Sequence, residues 1–224
     1  LFLISKRITS EKNAWIVVFL SIFSSGFIQF SHFGTFEMWT IFFSLLLCYL
    51  VIVPHRQYRH IVLIGLVTGI LIAIKIANLV FFPLMLFLLL IPLVKSFLHK
   101  HARILTFRLF LQQLILFCLM VGIVYTLTNP YVFLDSKEFL SSITYETQVA
   151  TGTLPVFYTQ EFFGTIPVVY QIMHVFPFLL NPVLTLLSPF IFFCFLFSMI
   201  KTKKEELGII AIFFLISFFP QAVL

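Results

Sequence analysis

The stretch Ile61-Val-Leu-Ile-Gly-Leu-Val-Thr-Gly-Ile-Leu-Ile-Ala-Ile-Lys-Ile-Ala-Asn-Leu-Val-Phe-Phe-Pro-Leu-Met-Leu-Phe-Leu-Leu-Leu-Ile-Pro-Leu-Val94 decides the fold. Its single charge is Lys75. As one helix it would run about 51 Å, far beyond the ~30 Å hydrocarbon core of a bilayer. A turn around Ala77-Asn78 splits it into two segments of membrane-spanning length. Working outward, further apolar segments lie at 14–30, 38–53, 109–127, 178–200 and 207–224. The run 61–94 adds 61–76 and 77–94, giving seven.

The distribution of basic residues tests that split. Four clusters alternate with the apolar segments: Lys6, Arg7 and Lys12; Arg56 and Arg59; Lys95, Lys100, Arg103 and Arg108; and Lys201, Lys203 and Lys204. Seven crossings put all four on one side, leaving only Lys75 and Lys137 on the other. One crossing at 61–94 would send the second and third clusters to opposite compartments, against the positive-inside rule.

The expected fold is therefore all-α, a polytopic bundle of about seven membrane helices. Composition agrees. Hydrophobic residues make up 61% of the chain, charged residues 10%, and Phe occupies 32 positions. Mean hydropathy is +1.13. Soluble domains carry roughly a quarter charged residues. The net charge of +6 is scattered between apolar runs rather than gathered in a patch, which argues against a nucleic-acid partner. Cys48, Cys118 and Cys194 lie far apart in apolar stretches and lack metal-ligand spacing. No phosphate-binding glycine loop, HExxH or CxxC motif and no internal repeat is present.

This topology places 31–37, the turn at 75–78 and the long loop 128–165 on the outer side. That loop holds Asp135, Glu138, Glu146 and Glu161 against Lys137, a net charge of −3. Asp135-Ser-Lys-Glu138 has capping-box spacing, and Phe139, Leu140 and Ile143 follow on one face of a short helix that Gly152 and Pro155 should end. Residues 166–177 read as a second interfacial helix, which extends the outer region to 128–177. Pro182 and Pro189 are positioned to kink the crossing that follows.

Chemistry on this face has few carriers. His32 and Glu37 fall in a short outer turn, where ionisable groups are costly unless they face water or a polar cavity. A carboxylate at position 37 can take a proton from a hydroxyl or ligate a divalent cation. It can equally serve the dipole of the helix it begins. Lys75 can neutralise a lipid phosphate, or simply snorkel to headgroups. Tyr131, Tyr158 and Gln160 offer rings and hydrogen bonds suited to sugars or isoprenoid tails, and also suited to an interfacial aromatic belt.

The order of Ser31-His-Phe-Gly-Thr-Phe-Glu37, the basic loop Pro54-His-Arg-Gln-Tyr-Arg59, Gly65-Leu-Val-Thr-Gly-Ile-Leu-Ile-Ala-Ile-Lys75, Asn129-Pro-Tyr131 and Tyr158-Thr-Gln-Glu-Phe-Phe-Gly-Thr-Ile-Pro167 resembles the GT-C membrane glycosyltransferases. The protein mannosyltransferase and aminoarabinose transferase branch is the most similar, over roughly residues 14–200. The resemblance implies sugar transfer from a polyprenyl-phosphate donor to a protein, lipid or glycan acceptor at the outer face of a bacterial inner membrane. It implies catalytic roles for Glu37 and His32, substrate contacts for Lys75, Tyr131, Tyr158 and Gln160, and a divalent metal (Mg or Mn) that Glu37 would ligate. Glu37 matches a position that is usually Asp. The family's principal catalytic carboxylate lies in an earlier outer loop, so residues 1–224 are expected to be part of one transferase domain, a fragment inactive alone. The rival expectations are a transporter or flippase, and an O-antigen polymerase or ligase, whose outer loop should carry arginines that this one lacks.

Overall fold

The computed structural model describes residues 1–53, 58–98, 103–162 and 164–223, with the side chains of 95–98, 103–106, 158, 161, 162, 167 and 219–223 outside the description. The described chain is helical throughout and contains no strand. In order the helices are α1 (Phe2–Ile8), α2 (Glu11–Ile22), α3 (Ser25–His32), α4 (Phe36–Ile52), α5 (Tyr58–Ile74), α6 (Phe81–Leu98) and α7 (Arg103–Thr128). There follow α8 (Tyr131–Leu134), α9 (Ser136–Ala150), α10 (Pro167–Tyr170), α11 (Phe176–Leu179), α12 (Pro182–Thr202) and α13 (Glu205–Val223). A 3-10 turn, Ile76–Val80, leads into α6, another covers Phe157–Phe162, and a π turn, Gln171–Val175, joins α10 to α11.

Two compact units divide the chain: Phe36–Pro130, and Leu1–Thr35 with Tyr131–Leu224. In the first, the expected break in the long apolar run is present. α5 stops at Ile74, Lys75 is extended at φ −153° and ψ 125°, and the helix restarts at Ile76. The flanking contacts give the direction of each helix. His60 Nε2 lies 2.6 Å from the Leu50 carbonyl, and Asn78 lies beside Thr40, so α4 and α5 are antiparallel. Tyr58 donates to Gln112 at 3.0 Å. Further along, Gly65 approaches Phe117 and Met120, and Gly69 approaches Val121 and Val124. Both chains advance together, so α5 and α7 are parallel. α6 must therefore carry the chain back between them, which two passes through 61–94 require and one long helix forbids.

Close approach of α5 and α7 depends on those two glycines. A Cβ at Gly65 would sit 2.8 Å from Met120 Cβ, and one at Gly69 would sit 2.8 Å from Val124 Cβ. Small residues four apart let helix backbones pack tightly where no hydrophobic force separates helix from lipid. Thr68, fully buried between them, donates its hydroxyl to the Ile64 carbonyl at 2.8 Å and so leaves no unmet polar group.

The second unit is ordered by two contacts at opposite ends of its helices. Lys204 Nζ reaches the Ile8 carbonyl at 3.3 Å, and Ser24 Oγ donates to the Leu179 carbonyl at 2.6 Å. α2 runs from the first contact to the second, and α12 runs back. α13 then returns, with Phe218 packed 5.9 Å from Phe176. Lys6, Arg7, Lys12, Lys201, Lys203 and Lys204 thus share one end of this unit. In the other unit Arg59 and Arg108 share one end, while Glu37 and Lys75 occupy the opposite one. Arg56, Lys95, Lys100 and Arg103 fall on residues or side chains outside the description.

Several expectations change. Residues 14–30 are not one straight helix: α2 and α3 meet at an angle of 57°. The break falls at Ser24, whose backbone is extended at φ −68° and ψ 128° and whose hydroxyl bonds the Leu179 carbonyl. Pro182 is the first residue of α12, where its missing N–H costs nothing, and the crossing expected to start at 178 begins there; Pro189 does lie inside that helix. The loop 128–165 is largely helical. Asp135 caps α9 by accepting from the Glu138 N–H at 3.4 Å, and the helix ends at Ala150 before Gly152 at φ +72°. Helical structure also covers 167–179, but as two four-residue α segments joined by the π turn instead of the one helix expected over 166–177.

Among the described residues three helices are long and apolar enough to cross a membrane: Ile76–Val94, Phe107–Thr128 and Pro182–Thr202. The bent pair α2–α3 makes up to four, and seven spans are not reached: α4 and α5 are only 17 residues each, and α13, whose side chains are described only as far as residue 218, is not among those counted. At most 28% of any of the three spans is buried within the chain. Trp15, Phe19, Phe42, Phe87, Phe190, Phe193 and Phe197 are all more than half exposed. Apolar surface on this scale marks a membrane or protein contact, and several apolar helices of spanning length are consistent with an integral membrane protein.

Candidate functional site

α3 ends by a mechanism written in the sequence. Gly34 takes φ +61°, a conformation that side chains resist, and the Thr35 N–H returns to the Phe30 carbonyl at 3.4 Å. His32 is the last residue of α3, exposed, with its ring edge-on to Phe33 at 5.3 Å. The chain then enters α4, whose first turn contains Glu37. A carboxylate there suits the positive end of the helix dipole.

The dipole is not its only partner. Because α4 and α5 are antiparallel, the start of α4 meets the end of α5, and Glu37 Oε1 lies 4.0 Å from Lys75 Nζ. The ammonium also sits 5.1 Å from the centre of the Phe36 ring. The separation exceeds hydrogen-bond reach, so the two charges attract without saturating each other. Their side chains are 45% (Lys75) and 32% (Glu37) exposed. Each retains capacity for a third group: lone pairs on the carboxylate, N–H donors on the ammonium.

Beside this pair lies a residue that the charge pattern did not single out. Asn78 is 7% exposed, and its amide donates to the Leu71 carbonyl at 2.9 Å and to Thr40 Oγ1 at 3.4 Å. An asparagine within an apolar run was the available signal. Phe36 and Thr40 gave none, since their role follows from packing between residues distant in sequence.

The remaining expected site residues belong to the other unit. Tyr131 opens α8 and is 73% exposed, Gln160 is exposed in the 3-10 turn, and the Tyr158 side chain lies outside the described residues. Among the described residues no hydrogen bond or ring contact joins His32, Tyr131 and Gln160 to one another. The structure thus unites Glu37 with Lys75 and leaves His32, Tyr131 and Gln160 as separate exposed groups.

A divalent metal fits this arrangement poorly. Among the described residues no group of three His, Cys, Asp or Glu side chains converges, and the charged neighbour of Glu37 is a cation. Magnesium and manganese favour sets of carboxylate, carbonyl and water oxygens, and an ammonium at 4.0 Å competes for the carboxylate. No protein-family model, curated protein or solved structure matches this chain.

Proposed function

We propose that this chain belongs to an integral membrane glycosyltransferase that moves a sugar from a polyprenyl-phosphate donor to an acceptor hydroxyl at the outer face of a bacterial inner membrane. The observation that carries the reading is the Glu37–Lys75 pair, a carboxylate and an ammonium 4.0 Å apart at the end of the α4–α5 hairpin away from Arg59 and Arg108. The resemblance over residues 14–200 assigns these same two positions to the reaction.

In this reading the chain crosses the bilayer seven times, through α2–α3, α4, α5, α6, α7, α12 and α13. Alternating direction within each unit supports that count, as does the shared end of the basic residues in each. At about 26 Å, α4 and α5 are slightly short for a ~30 Å core, a mismatch that local thinning accommodates. The charge pattern assigns 128–177 to the outer surface, and the resemblance assigns Tyr131, Tyr158 and Gln160 to substrate binding. His32 lies at the same surface as a second proton-handling group.

The chemistry needs a base and a cation. The Glu37 carboxylate takes the proton from the acceptor hydroxyl as its oxygen attacks the anomeric carbon. The bond from that carbon to the phosphate oxygen breaks with its electron pair, inverting the configuration. Lys75 balances the charge left on the polyprenyl phosphate. No step is routed through a metal.

The test uses the full-length protein. Glu37→Gln and Lys75→Met should each lower sugar transfer from a polyprenyl-phosphate donor by about 100-fold, at unchanged expression. Turnover equal to wild type in both variants would remove these residues from the reaction.

One observation favours a transporter or flippase. The α2–α3 break and the break before α12 meet at the Ser24–Leu179 contact, and transporters build their sites at interrupted helices. That reading predicts donor movement across vesicles without release of free polyprenyl phosphate.

A further inference from the structure

We infer that Asn78 is the positioning residue of the Glu37–Lys75 pair, holding the two charges at their working separation without itself touching substrate. The inference rests on reading those two residues as one site. Glu37 and Lys75 do not hydrogen-bond each other at 4.0 Å, so their spacing must be imposed by the backbones that carry them.

Asn78 acts on both backbones. Helical N–H donors run out at the end of α5, and in an apolar setting each carbonyl there needs a partner. Leu71 O receives the Lys75 N–H at 3.3 Å and the Asn78 amide at 2.9 Å. The Asn78 N–H in turn donates to the Lys75 carbonyl at 2.9 Å. Residue 75 is thereby bracketed: its carbonyl is held from one side, and the helix end that precedes it is held from the other. This bracket keeps Lys75 extended, at φ −153° and ψ 125°, where continuation of α5 would otherwise carry its side chain around the helix.

The same amide reaches Thr40 Oγ1, one turn along α4 from Glu37. One buried side chain therefore ties the end of α5 to the start of α4, and Phe36 fixes the ammonium from a third direction at 5.1 Å. An apolar residue at position 78 would keep the backbone bond to the Lys75 carbonyl but lose both side-chain bonds, to the Leu71 carbonyl and to Thr40, and with them the tie between α5 and α4.

Zero-length carbodiimide coupling of carboxylate to amine tests this directly. The Glu37–Lys75 product is measured by mass spectrometry in the full-length protein. The Lys6–Glu11 pair, at 2.7 Å in the other unit, is the internal standard. Asn78→Ala should lower the ratio of the two products by up to about 100-fold, as a displacement near 1 Å does for reactions between held groups. Asn78→Asp keeps the volume but turns an oxygen toward the Leu71 carbonyl; it should lower the ratio similarly and covers loss of folding in the alanine variant. A ratio unchanged in either folded variant would overturn the inference. If the ratio falls but Glu37→Gln transfers sugar normally, Asn78 positions the pair and the proposed reaction is wrong. If Glu37→Gln abolishes transfer while the ratio holds, the reaction stands and the role of Asn78 does not.

Discussion

Two glycine-to-alanine changes separate packing from helix propensity in this fold. Gly69 and Gly122 both lie inside helices of the same unit. Alanine favours a helix over glycine by about 1 kcal/mol at either site. The sites differ in what a new methyl meets. At Gly122 nothing lies within 4 Å. At Gly69 the methyl would sit 2.8 Å from Val124 Cβ, 3.1 Å from Val124 Cγ1 and 3.2 Å from the Val121 carbonyl. Carbon atoms rest at roughly 3.5–4.0 Å, so α5 and α7 must separate, since neither a Cβ nor a backbone carbonyl can swing aside. Overpacking of this kind costs about 1–3 kcal/mol. Each kcal/mol moves the unfolding midpoint of a chain this size by about 2–4 °C. In detergent, Gly69→Ala should therefore melt about 2–12 °C below Gly122→Ala, and Gly65→Ala should follow Gly69→Ala. Equal midpoints for Gly69→Ala and Gly122→Ala would refute the parallel α5–α7 packing, and with it the reversal of α6.

Other expectations concern local backbone. Asn181 adopts φ +81° while its side chain caps α12 by accepting from the Leu184 N–H at 2.9 Å. Asn181→Gly should be neutral or stabilising, because relieved strain of about 1–3 kcal/mol outweighs the few tenths lost with the cap. Asn181→Ala keeps the strain and loses the cap, so its thermal midpoint should fall. Asp135→Ala should fray the first turn of α9 by about 1 kcal/mol, seen as faster hydrogen exchange at residues 136–139, and amides near Val149 should be unaffected. Ser24→Ala removes the bond to Leu179 and should reduce the 57° bend, readable as a longer spin-label distance between positions 15 and 30.

What the sequence revealed tracks how local each cause is. The break in 61–94, expected around Ala77-Asn78 and found at Lys75, the cap at Asp135 and the stop at Gly152 depend on a few neighbouring residues, and all were legible. Within each unit a shared end was legible too, for Arg59 with Arg108 and for Lys6, Arg7 and Lys12 with Lys201, Lys203 and Lys204, because basic residues placed between successive apolar segments encode direction. The Glu37–Lys75 pairing was not, since it depends on the α4–α5 hairpin bringing together residues 38 apart. The bend at Ser24 was equally hidden: its partner is a carbonyl 155 residues away. The lengths of α4 and α5 were legible to within a residue, since the apolar segments 38–53 and 61–76 correspond to helices of 17 residues each. Asn78 was noticed only as a turn residue; its buried amide bonds appear once α4 and α5 are side by side.

The proposed topology turns the basic residues to one compartment and the Glu37–Lys75 pair to the other. Single cysteines, placed in full-length protein whose Cys48, Cys118 and Cys194 are serine, measure this with a membrane-impermeant maleimide in sealed, right-side-out vesicles. Cysteine at positions 34, 77 and 137 should label from outside. Cysteine at positions 7, 59, 108 and 203 should label only after the vesicles are opened. Labelling of positions 59 and 108 from opposite sides would mean that 61–94 crosses once, and the outer site built from Glu37 and Lys75 would fall with it.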